Sequence, residues 1–148
     1  ISFINNYLEG FMQVKINYEG QLQFKATARN HYIIGDQPEE NGGEDKGMTP
    51  SEWLLASLGS CIGFYAVKYL QNRNIDSSGL SITVNADKSI RPVARLDNFQ
   101  VDVSLPCSLE TKHKLGLQQA IENCLIHNTL MHSPQITTHI ITAPTLVK

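Results

Sequence analysis

Residues 49–74, TPSEWLLASLGSCIGFYAVKYLQNRN, form an almost uninterrupted apolar segment with Cys61 near its middle, and any fold open to this chain must bury it. Thr49, Pro50 and Glu52 spell a helix start. Thr49 offers a hydroxyl N-cap, Pro50 sits at the first helical position where a missing N–H does no harm, and the Glu52 carboxylate can bond back to the cap amide. From Trp53 onward, Leu54, Leu55, Leu58, Ile62, Phe64, Tyr65, Val67, Tyr69 and Leu70 point all round the helix rather than along one stripe. That is the pattern of a helix covered on most sides. Its longest apolar run, 53–67, contains Ser57, Ser60 and two glycines and is closed by Lys68. It falls short of the roughly 20 residues of a membrane span and predicts a buried central helix instead.

A chain of 148 residues suits a single domain with its own core, with 1–11 as an N-terminal extension if Met12 is the natural start. A formal net charge of -2 supplies no basic field, so neither nucleic acid nor a membrane is expected as a partner. Three cysteines are too few for a disulfide scaffold, and no charged-then-apolar leader opens the sequence. Both points predict a reducing, cytoplasmic setting.

Apolar and polar residues alternate over 12–18 (Val14, Ile16, Tyr18) and 21–27 (Leu22, Phe24, Ala26), predicting two half-buried strands joined by a turn at Glu19 and Gly20. Residues 31–34 predict a short third strand. The segment 36–48, DQPEENGGEDKGM, has one proline, three glycines and five acidic residues, which predicts a solvated loop leading into the helix. Beyond the helix, 80–86 and 99–105 alternate as further strands. Ser108 then caps a second amphipathic helix carrying Leu115, Leu117, Ala120, Ile121, Cys124 and Leu125 and ending near His127 and Asn128. A β-branched run at 136–142 predicts a last strand. The expected fold is α+β, with antiparallel sheet packed on two central helices.

Cys61 and Cys124 each fall on a predicted helix, 63 residues apart, and spacing alone does not bring them together. A free cysteine commonly serves as a small core hydrophobe. Cys61 lies about three turns beyond the cap, too far for the helix dipole to ionise it, so reactivity requires a cation or hydrogen-bond donor brought by the fold. His127, three residues after Cys124, is either a base on the same helical face or a helix-ending residue that bonds the last carbonyls. Cys124, His127 and His132 match no standard zinc spacing, so no metal is expected, nor any other cofactor. Cys107, beside Pro106, has no evident role. Gly59 and Gly63 flank Cys61 on one face and predict either close packing of another helix against that face or, less favoured, space for a ligand.

GMTPSEWLLASLGSC followed about sixty residues later by NCLIHNTL resembles the paired signature of the OsmC/Ohr family, the osmotically inducible and organic hydroperoxide resistance proteins. The resemblance covers nearly the whole chain. It implies an intertwined homodimer with two sites at the interface and a role in stress response. It also implies a peroxidatic Cys61 that attacks an organic hydroperoxide and a resolving Cys124 that closes a disulfide, which a dithiol then reduces. That chemistry suits a thiolate with a second thiol nearby.

The chain departs from the peroxidase members at two points. Their helix-start glutamate falls on Ser51, with Glu52 one place later, and no arginine lies in the first hairpin; Arg29 is the nearest, with Arg91 and Arg95 behind it. Glu52 has a simpler assignment as capping partner of Thr49, and at about 1.5 Å per residue it stands roughly 13 Å along the helix from Cys61. Any service to the thiol would come from the other subunit. Two functions follow: a thiol peroxidase using Cys61, Cys124, Arg29 and Glu52, or a dimer of the same fold that binds a small apolar ligand and keeps its cysteines structural.

Overall fold

The computed structural model describes residue 10 and residues 12–143, so the proposed extension at 1–11 lies outside the described residues apart from Gly10. Contacts divide the chain into two compact units, Ile1–Ser57 with Val84–Gln100, and Leu58–Thr83 with Val101–Lys148.

In the first unit, β1 (Lys15–Gly20), β2 (Gln23–Ala28) and β3 (His31–Gly35) form an antiparallel sheet in that order. The register sets Ile16 opposite Ala26 and Tyr18 opposite Phe24, whose rings meet at a tilt of 52° with centroids 5.7 Å apart. The turn between β1 and β2 falls at Gln21 and Leu22, later than the sequence predicts. Gly20 (φ 115°) and Gln21 (φ 51°) both take the left-handed backbone a tight turn requires, which draws Leu22 out of the strand. These strands are also less buried than expected: Ile16 is 52% exposed and Tyr18 65%.

The acidic loop is built around one carboxylate. Asp36 is only 1% exposed. Its Oδ1 accepts from Gln37 N–H (2.7 Å) and its Oδ2 from Glu44 N–H and Lys46 N–H (3.1 Å each). Gly43 and Gly47 lie so close to the carbonyls of Gln37 and Ile34 that a Cβ would stand 1.9 and 2.2 Å from those oxygens. The loop, which includes a 3₁₀ turn at Glu39–Asn41, is therefore a closed structure and not an open linker.

α1 (Pro50–Gln71) begins where the sequence predicts. Thr49 N–H and Oγ1–H both donate to Glu52 Oε2 (2.7 and 3.0 Å), and Glu52 N–H donates to Thr49 Oγ1 (3.3 Å), a complete capping box. With 22 residues, α1 is by length and composition apolar enough to cross a bilayer. Its buried line of Leu58, Ile62, Ala66, Tyr69 and Leu70 accounts for that apolarity by packing within the protein.

In the second unit, Ala66, Tyr69 and Leu70 of α1 pack with Leu117 of α2 (Thr111–Glu122), joined at the margin by Leu80, Leu105, Leu109 and Ile121. Outside that core, β4 (Ser81–Ser89) and β5 (Arg95–Ser104) pair as a second sheet with alternating burial, most of its residues, 84–89 and 95–100, counted in the first unit. Two expectations fail here. Glu110, not Ser108, stands at the N-cap position of the second helix, without a side-chain capping bond, and the helix breaks at Asn123 and Cys124 before a short α3 (Leu125–Met131). The 136–142 segment forms no strand: Ile136, Ile140 and Ile141 are 85%, 90% and 92% exposed, and β-branched composition cannot make a strand without a neighbouring edge to bond.

Candidate active site

Cys61 occupies α1 beside the buried line, so its thiol is half-buried. Cys124 is fully buried. The helix break makes Cys124 the N-cap of α3, where its Sγ accepts a hydrogen bond from His127 N–H at 3.5 Å. The two sulfurs that spacing alone left apart are neighbours, the Cys61 thiol lying near enough to Cys124 to act on its ionisation. Burial pushes the Cys124 thiol up, the adjoining Cys61 pushes it further, and the backbone N–H groups of His127 and Ile126 offset this only in part.

Tyr65, one helical turn after Cys61, belongs to the same cluster. Its phenol is held above the ordinary range by burial and then by the charges available to Cys61 and Cys124. In the sequence Tyr65 reads simply as one more apolar residue of α1; its position four after Cys61 is the signal that marks it. No arginine or lysine among the described residues contributes to the electrostatics of either Cys124 or Tyr65.

His127 does not share a helical face with Cys124, since the helix breaks between α2 and α3. Its backbone serves the thiol while its side chain helps line a cavity of about 500 Å³ in the same unit. Ile62, Val103, Leu105, Leu117 and Ile121 give the cavity an apolar side, Lys114, Gln118 and Glu122 a polar one, and neither Cys61 nor Cys124 lines it. His132 Nδ1 bonds the carbonyl of Asn128 at 3.0 Å, a helix-ending contact. Among the described residues no three His, Cys, Asp or Glu side chains are grouped to hold a metal ion. Cys107 is exposed at the cavity margin.

A family model for OsmC-like protein matches residues 43–139, which take in both cysteines and the capping box. The chain belongs to the OsmC-like family. The OsmC-like fold recurs in solved structures. A protein of Psychrobacter arcticus 273-4, provisionally described as an osmotic stress induced and detoxification response protein, matches with TM-score 0.73 and 23% identity over 83% of this chain and 90% of its own. An OsmC like protein from Mycoplasma pneumoniae matches with TM-score 0.69 and 22% identity over 85% and 91%. An organic hydroperoxide resistance protein OsmC from Legionella pneumophila matches with TM-score 0.61 and 16% identity over 83% and 90%. At these identities the likeness establishes the fold alone. No curated protein matched the sequence.

The remaining two expected site residues of this OsmC-like protein both lie in the first compact unit, whereas both thiols lie in the second. Arg29 sits exposed at the tip of the β2–β3 hairpin, with φ 53°. Glu52 is engaged by Thr49, and those bonds hold its carboxyl below the usual range, with Lys88 adding a smaller attraction.

Proposed function

We propose that this OsmC-like protein is a thiol peroxidase that reduces organic hydroperoxides. The observation that carries the reading is the meeting of a half-buried Cys61 with a buried Cys124. The Cys61 thiolate attacks the terminal peroxide oxygen, the O–O bond breaks, and the alkoxide leaves as an alcohol after taking up a proton. The sulfur is oxidised by two electrons to a sulfenic acid. Cys124 then displaces hydroxide, which departs as water with the thiol's proton, and a Cys61–Cys124 disulfide forms. A dithiol reductant returns both thiols by exchange, which suits a cytoplasmic setting. Ile62 and His127, neighbours of the two thiols, line the partly apolar cavity, where the alkyl group of an organic peroxide would gain from burial in a way hydrogen peroxide cannot.

The reading includes a homodimer, and the exposed apolar side chains support it. Phe64 on α1 is 57% exposed and Leu125 on α3 52%, alongside Ile16 and Tyr18 of the first sheet. Arg29 and Glu52 enter the proposal only as residues a second copy would bring to the thiols.

A second reading has its own support in the partly apolar 500 Å³ cavity and in the burial that keeps the Cys124 thiol neutral: a non-peroxidase dimer that binds a small apolar ligand, its cysteines structural. One experiment separates the two. Cumene hydroperoxide added to the reduced protein is expected to yield the Cys61–Cys124 disulfide, and turnover with dihydrolipoamide is expected to vanish in Cys61→Ser. Full turnover in that variant would sink the peroxidase reading.

A further inference from the structure

Tyr65 has no part in the chemistry above, yet α1 places it one helical turn beyond Cys61, on the same face. Residues four apart on a helix share a face with Cβ atoms about 5–6 Å apart, and helical side chains lean toward the N-terminus. The Tyr65 ring therefore leans back over the turn that carries Cys61. Cys61 and Tyr65 are both half-buried and run beside the buried line of Leu58, Ile62, Ala66 and Tyr69. The contrast with Tyr69 is informative. Tyr69 is buried and pairs its hydroxyl with His113 Nδ1 at 3.4 Å, whereas the Tyr65 hydroxyl finds no hydrogen-bond partner among the described residues. Phe64 meets the Tyr65 ring edge-on at 5.4 Å and limits its swing.

We infer that Tyr65 donates a proton to the leaving oxygen of the hydroperoxide when Cys61 attacks. This rests on the peroxidase reading. As the Cys61 sulfur bonds the terminal oxygen and the O–O bond breaks, the electron pair goes to the alkoxide oxygen. That oxygen takes the phenolic proton and leaves as the alcohol, and the tyrosinate recovers a proton from water. Burial and the two thiols keep the phenol protonated at neutral pH, the state a donor must occupy.

The test compares two reactions of Cys61 in the wild type and Tyr65→Phe: single-turnover oxidation by hydroperoxides of differing leaving-group basicity, and alkylation by iodoacetamide, which releases no oxygen. Loss of a general acid predicts oxidation slower by roughly 100-fold, more so for the more basic leaving groups, with alkylation unchanged. Equal slowing of both reactions, or no slowing, would overturn the role of Tyr65 while leaving the peroxidase intact. A wild type whose Cys61 does not react with any hydroperoxide would overturn the peroxidase reading and this inference with it. If Tyr65→Phe does not fold, solvent deuterium effects on the wild type decide. An effect on oxidation beyond that on alkylation is expected, and its absence would refute the proton transfer.

Discussion

The same substitution, glycine to alanine, should act with opposite sign at two helical positions. At Gly116, in α2, a Cβ would stand 2.1 Å from the Tyr69 hydroxyl oxygen and 2.7 and 2.8 Å from ring carbons. Tyr69 cannot swing away freely: it is 8% exposed, it belongs to the core with Leu70 and Leu117, and the Arg73 guanidinium sits 3.7 Å over its ring. Overpacking a filled site costs about 1–3 kcal/mol, against the roughly 1 kcal/mol that alanine gains over glycine in a helix. Gly116→Ala should therefore destabilise by up to about 2 kcal/mol, lowering the melting temperature by up to roughly 8 °C for a chain of this size. Because this contact docks α2 on α1 and so brings Cys124 to Cys61, disulfide closure should slow as well. At Gly63 the nearest atom, Ile82 Cδ1, would be 3.4 Å from the new Cβ, an ordinary contact. There the propensity gain survives, and Gly63→Ala should stabilise by up to about 1 kcal/mol. Urea denaturation followed by circular dichroism measures both. A Gly116→Ala protein as stable as the wild type would refute the packing argument.

Thr49→Ala removes the hydroxyl half of the capping box and should cost about 1 kcal/mol in the same urea assay, with the Cys61 oxidation rate unchanged. Asp36→Ala takes the acceptor from three backbone N–H groups and should open the 36–48 loop to limited proteolysis. In the wild type, burial alone would raise the Asp36 pKa, but the donors of Lys46, Gln37 and Glu44 outweigh it and leave the pKa lowered from 3.8. The clamp therefore stabilises above that value and is lost as pH falls through the lowered one, so the proteolytic pattern of Asp36→Ala should appear in the wild type only in strong acid. Cys124 runs the other way: its pKa is raised from 9.0, so its contribution is complete below 9.0 and is lost as pH rises beyond it. Cys124→Ala should flatten the loss of stability in that alkaline range.

Elements whose signals are local were legible in the sequence. The capping box was read from Thr49 and Glu52 to the level of individual hydrogen bonds, and four of the five strands were located from period-two alternation. The failures share a cause: the deciding partner is distant in sequence or is backbone. Asn123 and Cys124 carry no glycine or proline, so helical periodicity continues straight across a real break. Residues 136–142 have strand composition, but a strand exists only where another edge accepts its hydrogen bonds. The compact loop depends on Asp36 collecting donors eight and ten residues away, which composition does not reveal. At the site, the two cysteines were found through family resemblance, and Tyr65 was hidden by being apolar enough to pass for core.

The break at Cys124 changes what that residue can do. Inside a continuous helix, the N–H groups around its sulfur would all be committed to carbonyls four residues back, leaving nothing to stabilise a developing thiolate. As N-cap of α3, Cys124 has the His127 N–H aimed at its sulfur, yet burial outweighs that donor and keeps the thiol neutral. Under the peroxidase reading this imbalance orders the two steps. A neutral, fully buried thiol is a poor first attacker on an incoming peroxide, so the first attack falls to the half-buried Cys61. Once Cys61 is a sulfenic acid, the retained proton becomes useful. Closing the disulfide must expel the sulfenic oxygen as water, and Cys124 brings the proton that step requires while the His127 amide stabilises the negative charge its sulfur acquires as the proton leaves.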